Sequence, residues 1–284
     1  MPFRIVQSAQ NSRLKELRRA LASPGRNENG LVGIEGPNLL AEALRAGLNV
    51  RCVFVAQGSE PMLEGLGLPA GIEALVMNRA LLDSALATEA PQPVAALVEP
   101  PDWTWAHIIG IHKGSAALVV VLAGLQDPGN LGTILRSAEA FGADGVLCLE
   151  GTVSAWNSKA VRASAGSVFR MPVLQMKAME AMAQLREARV RTLTTAVKGE
   201  KRADEIDLAE PVALLIGNEG NGVPLELAAK ADGTITIPCP GPVESLNAAV
   251  ATSVLLYEAD RQRAAARQRA AKGAGSSGRR GGTR

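Results

Sequence analysis

The residues of this chain that could do chemistry appear first in "LLIGNEGNG", Leu214 to Gly222, where an apolar run ends in glycines, asparagines and one glutamate. The stretch lacks the Gly-Lys-Ser/Thr of a P-loop, and its glycines run G-x-x-G-x-G, the reverse of the dinucleotide fingerprint. Glu219 would also repel a phosphate. The loop therefore suits a ligand with donors or positive charge, met by backbone groups, amides and a carboxylate.

Two further stretches place polar residues beside a helix start. In "IPCPGPVESLNAAVA", Ile237 to Ala251, a Pro/Gly loop follows a strand, and Ser245 is placed to cap the next helix. In "LQDPGNLGTILRSAEAFGADGV", Leu125 to Val146, Asn130 ends a predicted turn and Arg136 lies in the following helix. Each residue also has a purely structural interpretation: a turn residue, a cap or a salt-bridge partner.

The elements that must position these residues form two α/β blocks. In the first, residues 1–100, helical patterns such as "NSRLKELRRALAS" and "PNLLAEALRAG" alternate with the strands "LVGIEG", "VRCVFVA" and "VAALVE". Two prolines and two tryptophans break the pattern in "EPPDWTWAHIIGIHKGS", so residues 101–115 are predicted to connect two domains. The first block is predicted to be a small α/β domain.

The second block, residues 116–263, opens with "AALVVVLAGL", a continuous apolar run typical of a parallel strand buried on both faces. Helical and strand patterns then alternate through "VRTLTTAV", "PVALLIG" and "GTITIP" to a long final helix from Ser245 to Arg263. This alternation predicts an α/β fold with a parallel sheet and helices on both faces.

Composition excludes several classes of protein. The chain has 284 residues and 47% apolar content, no run of about 18 apolar residues and no apolar signal region near its start, so we expect a globular cytoplasmic protein without a membrane span. The separated cysteines are interpreted as reduced thiols, and the two histidines as structural or solvated, so no metal site is expected. These residues are Cys52, Cys148, Cys239, His107 and His112.

The net charge of +2 hides a basic end. Residues 261–284 carry seven arginines, one lysine and no acid, a charge of +8 that leaves −6 for residues 1–260. The composition of residues 264–284 predicts a disordered basic tail. Such a tail is typical of contact with a polyanion, although a solubilising extension has the same composition.

Taken together and in this order, the three stretches resemble the SpoU (TrmH) family of RNA ribose 2′-O-methyltransferases. The resemblance covers about residues 115–260, "VRASAGSVFRMPV" also fits the family, and residues 1–100 are similar to its N-terminal, L30e-like substrate-binding domain. The residues that match the N-x-G-x-x-x-R, G-N-E-x-x-G-V and I-P…S-L-N patterns are Asn130, Gly132, Arg136, Gly217, Asn218, Glu219, Gly222, Val223, Ile237, Pro238, Ser245, Leu246 and Asn247.

The resemblance implies a deep trefoil knot in the C-terminal domain, a homodimer and S-adenosylmethionine as the cofactor. On this basis the opening loop is the first knot loop rather than a phosphate cradle. The cofactor candidates are Gly217, Ile237, Leu246, Asn218 and Thr195, which lies in "VRTLTTAV".

The implied reaction is attack of a ribose 2′-hydroxyl on the sulfonium methyl group. In the family the arginine matching Arg136 is proposed to activate the hydroxyl, but guanidinium does not lose its proton at ordinary pH. A role in binding the adjacent phosphate and stabilising alkoxide charge is preferred. Asn130 and Asn247 would position groups by hydrogen bonds, Glu219 would orient Arg136, and Ser245 would bind RNA.

Two departures from the family pattern and several alternatives stay open. Glu244 adds negative charge near the expected RNA path, and Ala248-Ala249 replaces a common Val-Ser pair. The expected substrate is 23S ribosomal RNA, with transfer RNA or an antibiotic-resistance type of ribosomal RNA methylation as alternatives. From another class, a non-catalytic RNA-binding scaffold would be expected to lack Arg136 or Asn247, and both are present.

Overall fold

A computed structural model describes residues 3–86, 88–110, 116–197 and 201–277, the side chains of 110 and 273–277 excepted. His112 and the end of the basic tail, 278–284, therefore lie outside the described residues. The chain divides into two compact units. The first unit contains Met1–Trp103, Asp127–Arg136 and Val153–Met171, and the second contains Thr104–Gln126, Ser137–Thr152 and Pro172–Arg284.

Helices and strands alternate along most of the chain, as the hydrophobic pattern predicts. The helices are α1 (Ser12–Ala22), α2 (Pro37–Arg45), α3 (Arg79–Asp83), α4 (Trp105–Gly110), α5 (Pro128–Ala140), α6 (Ser158–Ala163), α7 (Ala178–Glu187), α8 (Leu225–Ala228) and α9 (Ala248–Ser277). The strands are β1 (Phe3–Ile5), β2 (Val32–Glu35), β3 (Val50–Ala56), β4 (Glu73–Met77), β5 (Val94–Val98), β6 (Leu118–Ala123), β7 (Gly145–Leu149), β8 (Val173–Met176), β9 (Arg191–Thr195), β10 (Lys201–Arg202), β11 (Val212–Gly217) and β12 (Gly233–Thr236).

The sheet of the first unit has five strands in the order β1-β4-β3-β5-β2. Strand β5 runs antiparallel to its neighbours β2 and β3, and the remaining pairs are parallel. Helix α1 covers part of this sheet because its apolar residues recur at helical spacing: Leu14 and Leu17 are fully buried with Phe54 and Leu75 in one core. Asn11 starts the helix, since its side-chain oxygen accepts from the N–H groups of Arg13 and Leu14.

The sheet of the second unit has seven strands in the order β10-β12-β9-β11-β6-β7-β8, and all of its pairs are parallel. Every residue of β6 and of β11 is buried, as expected of central strands covered on both faces. The predicted α/β class, with a parallel sheet in the C-terminal part and a smaller N-terminal domain, is confirmed.

The strand order changes direction at β6. The chain runs outward from β6 to β7 and β8, then crosses to β9, and β11 is inserted later between β9 and β6. Strand β12 is inserted in the same way between β9 and β10. These late insertions are what a knotted crossover requires, but strand order alone does not define a knot, and the predicted trefoil stays a prediction.

The structure differs from the sequence interpretation at several elements. The pattern did not predict β1, β4, β8 or β10, which are short or follow loops closely. Part of the expected linker forms α4, whose Ile108 is fully buried, and a Cβ on Gly145 of β7 would lie 2.7 Å from its Cγ1. Of the two tryptophans that suggested a linker, Trp103 lies before this packed helix and Trp105 begins it.

The last helix differs most from its predicted bounds. Helix α9 begins at Ala248 instead of Ser245 and runs to Ser277, so residues 264–277 are helical and the expectation of a disordered tail from 264 is wrong for them. The physical reason is composition: residues 264–272 are alanine, arginine, glutamine and lysine, which are good helix formers. Arg263 anchors the helix, because its guanidinium donates to the carbonyl groups of Ala116, Ala117, Leu208 and Glu210.

Two of the three cysteines are buried, and His107 bonds within its own helix turn. Cys52 and Cys148 are buried free thiols, and burial raises the pKa of each to about 12, while Cys239 is free and exposed. The Nδ1 atom of His107 lies 3.0 Å from the backbone nitrogen of Thr104, so this ring caps its own helix turn. No helix in the described ranges is long and apolar enough to cross a membrane.

Candidate active site at the carboxyl edge of the parallel sheet

Loops from four parallel strands leave the same edge of the second unit's sheet. They follow β6, β9, β11 and β12, and all of these strands run in the same direction. Ligands of open α/β sheets bind at this edge, where the strand order reverses. Here the reversal lies between β6 and β11, so the loops after Ala123 and Gly217 border the expected crevice.

The loop after β11 is a tight turn built around Asn218. The N–H of Asn218 donates to the carbonyl oxygen of Gly222 at 3.0 Å, and the N–H of Gly222 donates back at 2.9 Å. The side-chain oxygen of Asn218 accepts from the N–H of Gly220 at 2.8 Å, and its amide nitrogen donates to the carbonyl of Gly124 at 2.9 Å. Asn218 therefore shapes its own loop and ties it to the loop after β6.

Gly217 is required by this turn itself. A Cβ at Gly217 would lie 1.9 Å from the carbonyl carbon of Gly222 and 2.1 Å from the nitrogen of Val223. No side chain fits between these backbone atoms. The sequence analysis named this glycine as a cofactor candidate, and the structure supplies a cause for it inside the protein.

Glu219 projects from the turn into solvent. Its Oε2 atom lies 3.5 Å from the backbone nitrogen of Gln126, at the long limit of a hydrogen bond. The carboxylate is thus placed at the switch point, beside the loop that leads into α5. Its expected role in orienting Arg136 stays a prediction.

The loop after β12 carries two half-buried apolar side chains, Ile237 and Leu246, and an exposed Ser245. Ser245 is not the helix cap that the sequence suggested, because α9 begins three residues later. Asn247 takes that role: its side-chain oxygen accepts from the N–H groups of Ala249 at 2.9 Å and Val250 at 3.3 Å. Asn247 thus has a structural duty, and Ser245 is left exposed for other contacts.

Thr195 ends β9 at the same edge of the sheet. Its hydroxyl donates to the carbonyl oxygen of Leu215 in the neighbouring strand at 2.9 Å, and the residue is half-buried. The hydroxyl of Thr236 similarly donates to Val197 at 3.0 Å and joins the ends of β12 and β9. These bonds hold the strand ends in register, and the predicted cofactor contact of Thr195 stays a prediction.

The remaining candidates lie on α5 in the first unit. The helix begins at Pro128, so Asn130 lies in its first turn, and the prediction that Asn130 ends a preceding turn is wrong. Asp127 is the residue that the sequence interpretation missed: its Oδ1 accepts from the N–H of Asn130 at 2.8 Å, and Lys159 lies 3.0 Å from its Oδ2. These two contacts hold the pKa of Asp127 below its ordinary value. Asp followed by Pro at the first helical position is a known start signal.

Gly132 lets α5 pack closely on α6. A Cβ there would lie 2.4 Å from the carbonyl oxygen of Ala160 and 2.5 Å from the Cβ of Ala163. The glycine of the N-x-G-x-x-x-R pattern is therefore explained by helix packing. Arg136, one turn further along α5, is exposed, so its guanidinium faces solvent.

The candidate residues come from both units of the chain. The second unit is a parallel α/β sheet with polar loops at its carboxyl edge, the edge at which such sheets bind ligands. Arg136, on α5 of the first unit, is exposed. Among the described residues, no group of three or more His, Cys, Asp or Glu side chains could hold a metal ion.

Comparison with known proteins identifies the family. Residues 117–257 match the model described as the SpoU rRNA Methylase family, and residues 11–96 match the MRM3-like substrate binding domain. The chain is 32% identical over 252 residues to a Bacillus subtilis protein named 23S rRNA (guanosine(2553)-2′-O)-methyltransferase RlmP, covering 89% of this chain and 97% of that one.

Solved structures agree with this match. The SpoU methyltransferase AviRb from Streptomyces viridochromogenes, in complex with AdoMet, superposes with a TM-score of 0.77 at 29% identity, over 89% of this chain and 98% of that one. The AdoMet-bound rRNA methyltransferase from Sinorhizobium meliloti gives 0.79 at 31% identity, over 91% and 98%. The chain belongs to the SpoU methylase family, and the family and enzyme class predicted from the three motifs are confirmed.

Proposed function

We propose that this protein transfers the methyl group of S-adenosylmethionine to a ribose 2′-hydroxyl of ribosomal RNA. The observation that carries the proposal is the joint presence of all three motifs of an RNA 2′-O-methyltransferase family at the positions described above. Membership of that family makes the chain an S-adenosylmethionine-dependent methyltransferase.

The carboxyl edge of the second unit fits the cofactor chemically. Ile237 and Leu246 are half-buried apolar side chains in one loop, and suit an adenine ring. The backbone of the turn from Gly217 to Gly222 is fixed by its paired hydrogen bonds, so its polar groups are pre-positioned for a ribose or an amino acid group. Bound there, S-adenosylmethionine supplies a methyl group activated by a sulfonium centre.

Arg136 is proposed to hold the RNA at the reacting nucleotide. Its exposed guanidinium can bind the adjacent phosphate with two parallel hydrogen bonds, and can stabilise negative charge as the ribose hydroxyl gives up its proton. It does not itself accept that proton, since arginine stays charged. The proton passes to solvent water as the bond between the methyl group and the ribose oxygen forms and the bond between the methyl group and sulfur breaks. Asn130 and Glu219 are proposed to position groups by hydrogen bonds.

Asn247 caps α9, the role that the sequence analysis gave to Ser245. Asn247 uses its side-chain oxygen to start α9, and so fixes the loop in which Leu246 lies. Ser245 is exposed at the tip of that loop, where its hydroxyl can contact RNA. Neighbouring Glu244 is exposed too, and its charge would disfavour a phosphate on that side.

Ribosomal RNA is favoured over transfer RNA as the substrate. The relative that matches along 97% of its length is named for 23S rRNA. Residues 11–96 match the MRM3-like substrate binding domain, which supplies a surface for the RNA. With ribosomal RNA as the proposed substrate, we also propose a cytoplasmic location. Transfer RNA and a resistance-type methylation of ribosomal RNA remain the alternative substrates to be tested.

A homodimer is proposed on the exposed side of α9. Val250, Val254 and Tyr257 follow the i, i+4, i+7 spacing of one helix face and are 50%, 40% and 56% exposed, an unusual apolar stripe for a protein surface. A second copy of the chain would cover the stripe. We expect Val254→Glu to give monomers in sedimentation, whereas Leu225→Glu, on the 87% exposed Leu225 of α8, leaves the dimer intact. Dimeric Val254→Glu would overturn this interface.

The proposed reaction is tested by transfer and by mapping. Purified protein, radiolabelled S-adenosylmethionine and rRNA from a strain that lacks the gene should give one labelled ribose, while rRNA from the parent strain accepts no label. Label in transfer RNA alone would replace the substrate assignment. A folded protein that neither binds the cofactor nor labels any RNA would favour the scaffold.

A further inference from the structure

Glu42 on α2 is shared by two cations that come from different parts of the first unit. Its Oε2 lies 2.7 Å from Nη1 of Arg170, and its Oε1 lies 2.5 Å from Nη2 of Arg45. Arg45 is one turn further along the same helix, whereas Arg170 follows the segment that carries α6. The Glu42 and Arg170 side chains are 21% and 36% exposed, so the pair is partly shielded from solvent.

Gly166 packs its backbone against the stem of the same side chain. A Cβ at Gly166 would lie 2.6 Å from Cβ and 2.7 Å from Cγ of Glu42, and Gly166 has φ of +91°. The position therefore excludes other residues for two reasons, contact and backbone conformation. Gly166 therefore packs against the methylene part of the Glu42 side chain, and Arg170 pairs with its carboxylate.

Residues 160–170, which include Gly166 and Arg170, also contact α5, the helix that carries the proposed catalytic Arg136. Within the first unit, α6 packs on α5 at Gly132, where an added Cβ would meet Ala160 and Ala163 at only 2.4 and 2.5 Å. Arg136 is one turn beyond Gly132 on the same helix. Close contacts therefore run without a gap from Glu42, through residues 160–170, to α5.

We propose that Glu42 is a positioning residue for methyl transfer. By pairing with Arg170 it fixes the N-terminal substrate-binding domain on the segment that packs against the helix of Arg136, so RNA held by that domain presents its ribose to the guanidinium. Small interfaces between domains otherwise permit relative motion. This role rests on the proposed function, and it requires no contact between Glu42 and the RNA.

The test uses three variants of the full-length protein. Glu42→Gln and Arg170→Gln each remove the ion pair, and Arg45→Gln is the matched control, because it removes the other cation from the same carboxylate without touching residues 153–171. We expect the first two to slow single-turnover transfer about 5-fold, which equals about 1 kcal/mol, with unchanged S-adenosylmethionine affinity. Arg45→Gln should keep the wild-type rate, and the Glu42→Gln/Arg170→Gln double variant should be no slower than either single variant.

Two kinetic outcomes would overturn the positioning role. If Arg170→Gln slows transfer but Glu42→Gln does not, Arg170 acts on the RNA directly. If Glu42→Gln and Arg45→Gln are equally slow, the effect is local to α2. Hydrogen exchange gives a readout independent of activity: Glu42→Gln should speed amide exchange in residues 160–170 and in α5, and Arg45→Gln should not. Unchanged exchange in Glu42→Gln would refute the coupling even if the wild type methylates no RNA.

Discussion

The replacement Gly217→Ala tests the turn that borders the proposed cofactor site. The added Cβ would stand 1.9 Å from the carbonyl carbon of Gly222 and 2.1 Å from the nitrogen of Val223, so the turn cannot close as it is. Opening it breaks the two backbone hydrogen bonds between Asn218 and Gly222, of 3.0 and 2.9 Å. The residue is buried at the end of a central strand, so the damage cannot be relieved toward solvent.

The magnitude follows from these contacts. Two hydrogen bonds contribute about 1 kcal/mol each, and overpacking at a close contact costs about 1–3 kcal/mol, so we expect Gly217→Ala to lower the free energy of unfolding by about 3–5 kcal/mol. Gly220 in the same loop is the matched control, because its Cβ would meet only the side-chain oxygen of Asn218 at 3.5 Å, an ordinary contact. Gly220→Ala should change stability by less than about 0.5 kcal/mol.

Urea unfolding of both variants, followed by titration with S-adenosylmethionine, measures the two consequences separately. Gly217→Ala should lose stability and cofactor affinity together, and Gly220→Ala should keep its stability. If Gly217→Ala is as stable as the wild type and only the cofactor affinity falls, the glycine serves the ligand, and crowding by the backbone of Gly222 and Val223 is not the reason for it.

Three further predictions concern separate parts of the molecule. Asp127→Ala should cost about 1 kcal/mol of stability through loss of the α5 cap. Because the folded-state pKa of Asp127 is lowered, its contribution is present above the ordinary carboxyl value of about 3.9 and is lost as the pH falls through the folded value, so wild type and variant should differ less in urea unfolding at pH 3 than at pH 7. At neutral pH an alkylating reagent should modify Cys239 and spare the two buried thiols, whose pKa values are raised to about 12, and S-adenosylmethionine should slow that modification; an equal rate with cofactor would place the ligand away from this loop. Deleting residues 265–284 keeps the anchoring Arg263 and should weaken binding to all RNAs about equally, most at low salt; unchanged RNA affinity at every salt concentration would make the end of the chain a mere extension.

Much of the second unit's architecture was predictable because its signals are strong. The central strands are continuous apolar runs, as at β6 and β11, and only burial on both faces explains such runs. Three of the four strands that pattern analysis missed lie at sheet edges and have no buried residue: β1, β8 and β10 have three, four and two residues. Strand β4 is the exception, because it has five residues, four of them buried, and pairs with both β1 and β3. Such edge strands exist because a neighbour supplies hydrogen bonds, which a single sequence does not reveal.

The sequence identified the motif residues, but it did not show why those residue types are needed at those positions. Gly217 and Gly132 were identified from a family pattern, but the need for glycine comes from atoms distant in sequence: the backbone of Gly222 and the helix that carries Ala160. Asn247 was expected to position groups by hydrogen bonds, and the structure shows that it also caps α9. The Glu42–Arg170 contact joins residues 128 positions apart, and no local pattern signals it.

The central claim is that Arg136 acts on the RNA rather than on the fold. Arg136→Ala lies at an exposed position of α5 and replaces arginine with a better helix former, so stability and S-adenosylmethionine affinity should stay near wild type. Single-turnover methyl transfer to rRNA from a strain that lacks the gene should fall by on the order of 100-fold, as expected for loss of one charge stabiliser in the transition state. Transfer by Arg136→Ala at a near wild-type rate would contradict the mechanism.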